Sequence, residues 1–550
     1  VLTLPESPAD ETCPLRAIGR WIPEAGSTVG FAPQDIAAIA QQPRLPVHVV
    51  MDGRDGRVGV ASGGRIAPAT HAGQGGLDLL ASLPPVFPEW LGDRSFGEAH
   101  GVRFPYVCGE MANGIASARM VAGMAAAGML GFFGAAGLPP GRIAAAVGEL
   151  AGSLGRGQAW GVNIIHSPGD PACEEWTADL LIRSGVPVVS ASAFMSLTPA
   201  IIRCAAAGLR TDSSGRIVRA RRVFAKVSRA EIAERFMSPA PADMLRSLVA
   251  RGLISDREAQ LAAMVPVAED ITAEADSGGH TDNRPLSVLL PAMLQLRGRV
   301  TVRHARYPRI RVGAAGGLGD PGSVAAAFAL GADYVLTGSV NQAAMESGLS
   351  EDARALLADA DYPDVAMAPS ADMFELGVKV QVLKRGTMYA ARAGRLYEAY
   401  LRYDSLEAIE AGARARLEQE VFRMPLDQVW QETRAYWSEH GPAELARAES
   451  SPKHQMALTF RWYLGLSTRW AIAGQADRRS DYQLWCGPAI GAFNRWIAGS
   501  FLADPGQRSV VQIARNLLEG AAVVTRAHQF RTHGADVGPS AFQFSPRVLD

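Results

Sequence analysis

Between Phe104 and Ser339, short apolar runs alternate with segments of helical period, and most of the runs end in glycine or another small residue. The runs are Phe104 to Met111, Met129 to Phe133, Trp160 to Ile165, Val186 to Ala193, Arg222 to Val227, one opening at Asp270, Ile310 to Ala314, and Tyr334 to Leu336. They are apolar almost throughout rather than alternating, as strands covered on both faces are, and the gaps between them are long enough for crossover helices. Successive strands are therefore parallel. Helices are predicted over Ile115 to Ala127, from the Pro139-Pro140 pair onward, over Pro171 to Ser184 and over Pro199 to Ala207. A proline at the first helical position loses no hydrogen bond. An interruption from Met237 to Val265, helical over Ala242 to Arg251, precedes the sixth strand. Eight strands close a (β/α)8 TIM barrel, which takes roughly 250 residues.

The flanks carry other patterns. Residues 1 to about 45 are rich in Pro, Gly and small side chains and read as irregular. Leu45 to Val50 and Arg57 to Ala61, around Asp52-Gly53-Arg54-Asp55-Gly56, predict a hairpin. Beyond Ser339, Leu349 to Asp359 reads as helix and Ala366 to Gly386 as an ordered loop region over the barrel mouth. Helical spacing returns from Ala390 to about Ala448 and within Trp462 to Ala527, where Trp462, Trp470, Trp485 and Trp496 read as core. The division expected is an α/β chain with an N-terminal appendage at 1–100, a barrel at 101–345, and cap loops with a helical C-terminal subdomain at 346–550.

Composition narrows the function classes. The 550 residues are 48% hydrophobic and 20% charged with a net charge of −1, which argues against a nucleic-acid surface. The five cysteines, Cys13, Cys108, Cys173, Cys204 and Cys486, form no Cys-x-x-Cys pair and have no histidine at ligand spacing, so no metal site is expected. No basic start leads into an apolar core and no apolar run reaches bilayer length; the expectation is a cytoplasmic protein without a membrane partner.

Candidate chemistry gathers at three strand ends: Ser277-Gly278-Gly279-His280, Ala315-Gly316-Gly317-Leu318-Gly319 and Thr337-Gly338-Ser339. Glycine just past a parallel strand leaves backbone N–H groups open to an anion, and in barrels a phosphate site recurs after strands seven and eight. A single glycine loop is usually only a turn, but three in register make a phosphate the better reading. His280 then faces the same mouth from strand six. Lys379, Lys384 and Arg385 read either as phosphate ligands or as a solvated face, Asp372 and Glu375 either as supports of the site or as a helix start. Cys486-Gly487-Pro488 either approaches the mouth or packs.

These residues also carry a family resemblance. Glu110 to Gly114, Gly128 to Gly134, Gly161 to Asn163, Ser277 to His280, Ala315 to Gly319 and Thr337 to Ser339 resemble, in order, the motifs of the FMN-dependent nitronate monooxygenase and flavin enoyl-reductase superfamily. Ala273 to Pro285, Ala368 to Gln381 and Arg461 to Ser467 resemble one branch, the trans-acting enoyl reductases of polyunsaturated-fatty-acid and trans-acyltransferase polyketide synthases. The resemblance runs from about residue 45 to 530.

It implies FMN at the carboxyl ends of the strands. Its phosphate would lie on Gly316, Gly317 and Gly319 and on Thr337, Gly338 and Ser339, and its ring beside Met111, Ala112 and Asn113. Asn163 would bond the polar edge of the ring, Lys226 would put positive charge near N1 and O2, and Glu274 would touch ring or ribityl. Gly278 and Gly279 would also contact the cofactor and lead into His280, the catalytic residue, which either donates to the enolate oxygen or protonates the α-carbon. The implied activity is reduction of a 2-enoyl thioester on an acyl carrier protein, with NADPH as electron donor, by a chain compatible with a homodimer. A nitronate monooxygenase that uses oxygen is the rival enzyme, and a flavin-bound docking subunit without turnover is the rival of another class.

Overall fold

The computed structural model describes residues 16–69, 76–154, 157–167, 170–304 and 306–550; Cys13 lies outside them. The chain forms two compact units, one taking the residues up to Leu91 together with Leu518–Ser545, the other Gly92–Leu517 with Pro546–Asp550.

The second unit holds the barrel. Its strands are β1 (Tyr106–Cys108), β2 (Leu130–Phe133), β3 (Gly161–Ile165), β4 (Val188–Ser192), β5 (Arg222–Val227), β6 (Asp270–Glu274), β7 (Arg311–Ala315) and β8 (Val335–Thr337). All neighbouring pairs are parallel, and Val335 to Thr337 closes the barrel against Tyr106 to Cys108. The eight strands fall where the apolar runs predict them. Crossover helices start as the sequence dictates: Ser117, Thr198 and Asp320 accept hydrogen bonds from the N–H groups of Met120, Ile201 and Ser323, and a proline opens the helices at Pro140, Pro171, Pro199 and Pro321.

Large rings fill the barrel where its strands carry glycine. A side chain at Gly161 would begin 2.4 Å from the Phe132 ring, and one at Gly313 would begin 2.2 Å from the Tyr334 ring. Phe224 sits between, 5.2 Å from Phe132 and 5.5 Å from Tyr334. Below the rings, at the amino ends of β6 and β7, Arg311 donates to Asp270 at 2.5 and 2.9 Å, and His100 Nε2 lies 3.1 Å from the same carboxylate. This end of the barrel is closed by charge, so ligands enter at the other.

Two expectations give way. The stretch to about residue 45 is ordered where described: Gly19–Ile22 and Thr28–Gly30 are strands and Pro33–Ala40 is a helix. They join Val47–Met51, Val58–Ser62, Arg65–Ala67 and Leu77–Leu83 in one six-stranded antiparallel sheet with its helix. Strands this short leave no readable period. The region Ala366 to Gly386 is a hairpin rather than a loop: Val365–Pro369 pairs with Lys379–Leu383, which pairs in turn with Gly279–His280.

Past the barrel the chain is helical, around Pro452–Ala473. That helix is apolar on most sides because other helices surround it. Among the described residues no helix is long and apolar enough to cross a membrane.

Candidate active site

After β1 the chain turns sharply at Met111-Ala112-Asn113, with Asn113 in the left-handed region at φ 58°. This turn lies back to back with the loop after β2: the Asn113 N–H donates to Ala136 at 2.7 Å, and a side chain at Gly134 would begin 1.8 Å from the Met111 carbonyl. Asn163 on β3 pins the same loop, its Oδ1 accepting from the Ala135 N–H at 2.8 Å. Whatever Asn163 offers a ligand must therefore come from its amide nitrogen.

A buried charge cluster crosses the mouth. Lys226 on β5 donates to Glu274 at the end of β6, 2.9 Å away, and lies 3.6 Å from Glu110. Glu110 Oε1 also accepts from Ser192 at 2.6 Å and Ser190 at 3.0 Å, while its Oε2 is buried with no partner among the described residues. Burial alone would lower the Lys226 pKa, but the two carboxylates outweigh it and raise it above the ordinary lysine value. An unpartnered buried carboxylate oxygen costs about 1–3 kcal/mol or more, which a donor on a bound group would offset.

The glycine loops divide into two kinds. Gly316 and Gly319 are needed for packing: a side chain would begin 2.7 Å from the Ala275 carbonyl carbon and 2.3 Å from the Ala489 oxygen. Gly317 and Gly338 face open space, with nothing within 4 Å of where a side chain would begin. Ser339 Oγ accepts from the Gly487 N–H at 3.0 Å. Thr337 belongs to the wall: its hydroxyl bonds Tyr106 at 2.5 Å and Asn341 at 3.0 Å, and its carbonyl takes the Gly109 N–H at 2.9 Å.

Gly278 is likewise explained by packing, because a side chain there would begin 2.6 Å from the Cys486 Cα; Gly279 has φ 77° and open space. Cys486 thus packs against the mouth, fully buried, its thiol pushed up to about 12 by burial. His280 Nε2 lies 3.1 Å from Ser370 Oγ and 3.2 Å from Asp372 Oδ1, and Ser370 Oγ donates to that same carboxylate oxygen. Burial opposes protonation of His280, yet Asp372, and more weakly Glu274, raise its pKa above the ordinary histidine value. Gln381, across from Gly279, steadies the loop by donating to Asp276 at 2.7 Å and to the Ser277 carbonyl at 2.9 Å.

Of the predicted site residues, a direct bond joins Lys226 to Glu274, and Asn113 and Asn163 both hold the loop after β2, while Met111, Ala112, Gly317, Gly338 and His280 follow the carboxyl ends of their strands. Lys379 and Lys384 are exposed, and Arg385 pairs with Asp364 at 3.2 Å. Glu375 goes instead to His454, 2.9 Å away. Glu110, Ser190, Ser192 and Gln381 had no place in the sequence-based site. Signals were available for two of them: Glu110 opens and Gln381 ends a segment that carries the family resemblance, and a carboxylate two residues beyond β1 is poorly placed for packing.

The chain is 36% identical to the enoyl reductase domain of MlnA from the macrolactin biosynthesis cluster of Bacillus amyloliquefaciens, whose crystal structure it matches over 81% of this chain and 99% of that one with a TM-score of 0.77. It belongs to the enoyl reductase family of polyketide and polyunsaturated-fatty-acid synthases. Within that family it is 47% identical over 468 residues to one of the polyunsaturated fatty acid synthase polypeptides of Thraustochytrium sp., covering 83% of this chain and 31% of that protein. It is 43% identical over 439 residues to polyketide biosynthesis protein PksE of Bacillus subtilis, covering 80% of this chain and 57% of that protein. The chain thus spans about a third to somewhat over half of these relatives. Residues 403–482, which include the central helix Pro452–Ala473, match a family model described as acyl-carrier-protein S-malonyltransferase, inserted helical domain.

Proposed function

We propose that this enoyl reductase acts in trans on 2-enoyl thioesters held by an acyl carrier protein, with FMN in the barrel mouth and NADPH as electron donor. The observation that carries the reading is that an open glycine cradle at Gly317 and Gly338, a Glu110 oxygen without a partner among the described residues and a lysine kept cationic beside it all stand at the carboxyl ends of barrel strands. These residues fit FMN. Gly316, Gly317, Gly319 and the backbone of Thr337, Gly338 and Ser339 would hold its phosphate; Met111, Ala112, Asn113, the Asn163 amide nitrogen, Lys226 and Glu274 would contact the rest. FMN, when bound, supplies the hydride for the β-carbon and is recharged by NADPH.

The chain's own groups handle charge and protons. Lys226 supplies a fixed positive charge where negative charge would collect. Reduction at the β-carbon leaves an enolate, and His280 gives the α-carbon its proton. The segment Trp485 to Gly487 packs on the loops after β6 and β8 and holds them in place.

Anaerobic stopped-flow absorbance tests the reading. NADPH should bleach the oxidised-flavin band and a crotonyl thioester should restore it without oxygen. Bleaching by a nitronate but not by NADPH would replace the reductase with a nitronate monooxygenase, and no response to either would leave a docking subunit.

A further inference from the structure

The small three-stranded sheet beside the mouth does one thing no barrel strand does: it brings His280 to Ser370 and Asp372. Gly279–His280 pairs with Lys379–Leu383, and the outer strand Val365–Pro369 ends one residue before Ser370. The hairpin's two strands thus bring a carboxylate 92 positions along the chain to 3.2 Å from the imidazole. Gln381, Asp276 and Asn283 brace the connection, with Asn283 donating to Asp276 at 2.9 Å and to Gln381 at 3.2 Å.

Donor and acceptor rules fix the ring. Ser370's single hydroxyl proton is committed to Asp372, so toward Nε2 the hydroxyl can only accept, and the carboxylate can only accept. Nε2 must carry a proton. Nδ1 has no hydrogen bond to any described residue. We propose that Ser370 and Asp372 are positioning residues that lock the His280 ring with Nε2 as donor and leave Nδ1 as the atom that delivers the proton to the substrate's α-carbon.

This rests on the reductase reading above. In the step, the Nδ1–H bond breaks as the α-carbon–H bond forms from the enolate's electron pair. The imidazolium is left neutral with its remaining proton on Nε2, and water restores the proton at Nδ1. Hydride from the reduced flavin, drawn from NADPH, completes the two-electron reduction.

The charged groups facing His280 are Asp372, Glu274 and Lys226. Asp372 contributes most toward protonation, Glu274 adds to it and Lys226 opposes it. Because the Asp372 side chain is 53% exposed, water screens the pair and weakens the effect.

Two measurements on the FMN-loaded enzyme test it. Titration of 15N-histidine-labelled protein by NMR should give His280 a pKa above the ordinary histidine value, lowered in Asp372→Asn. The rate at which an enoyl thioester reoxidises the reduced flavin should fall as pH rises through that pKa. Its falling limb should move to lower pH in Asp372→Asn and return in Asp372→Glu. An unchanged His280 pKa in Asp372→Asn would overturn the lock, and a lowered pKa with an unmoved limb would overturn the proton assignment. If the pKa falls as expected but wild-type enzyme reduces no enoyl thioester at any pH, the reductase reading fails while the lock on Nε2 stands.

Discussion

Lys226 is held between two carboxylates in a place where none of the three is well hydrated, and that makes it a sensitive position. The Lys226 and Glu110 side chains are 17% and 3% exposed. Removing the ammonium leaves Glu110 and Glu274 facing each other, and Lys226→Met should destabilise the fold by about 3–5 kcal/mol, read by denaturant unfolding. Adding Glu110→Gln should recover a good part of that loss, because one of the two stranded charges is then gone. At this scale the sequence was only half informative. His280 stands out in the sequence because it follows Gly278-Gly279 at a strand end, whereas Lys226 and Glu274 enter only through the family resemblance. Asp372 was ambiguous because nothing local ties a carboxylate to a histidine 92 positions away.

Among the elements, the glycine loops separate fold from ligand binding. Gly278→Ala would drive a methyl group into the Cys486 backbone, which starts 2.6 Å away, and neither side can yield cheaply. A loss of about 1–3 kcal/mol in stability is expected, with the melting temperature falling with or without cofactor. Gly338→Ala meets open space at φ −124°, so the melting temperature of the apoprotein should hold. The methyl group would fill the cradle, and FMN affinity by fluorescence titration should drop about tenfold or more, a change of about 1.4 kcal/mol. An unchanged affinity would move the phosphate elsewhere. The barrel strands were readable because burial on both faces writes a continuous apolar run that stops at glycine. The strands at Gly19–Ile22 and Thr28–Gly30 were not, since three or four residues cannot display a period. The hairpin at 365–383 was hidden for another reason: its turn region, Ser370 to Val378, is long and carries the site's polar residues rather than a tight two-residue signal.

For the molecule as a whole, the charged plug beneath the rings makes stability depend on pH. His100 is fully enclosed there, and burial holds its pKa below the ordinary value despite the Asp270 carboxylate. The unfolded imidazole takes up a proton near pH 6.5 and the folded one does not. Unfolding therefore gains a proton as pH drops through that value, and stability falls with it. His100→Gln should flatten the slope of unfolding free energy between roughly pH 7 and 5 relative to wild type; an unchanged slope would mean that the ring titrates alike in the folded and unfolded chain, and a steeper one that it is protonated when folded.

The first unit joins distant parts of the chain, with Ile36, Val47 and Val60 packed among Ala527 and Phe530. Arg526 donates to the carbonyls of Pro43 and Pro84 at 3.1 and 2.6 Å. During synthesis the early sheet is finished long before Leu518 leaves the ribosome, a delay of about 20–85 s at roughly 5–20 residues per second. Over that interval the part of its apolar face that Ala527 and Phe530 later cover is bare, so the nascent chain presents a chaperone with a binding surface that the completed protein lacks.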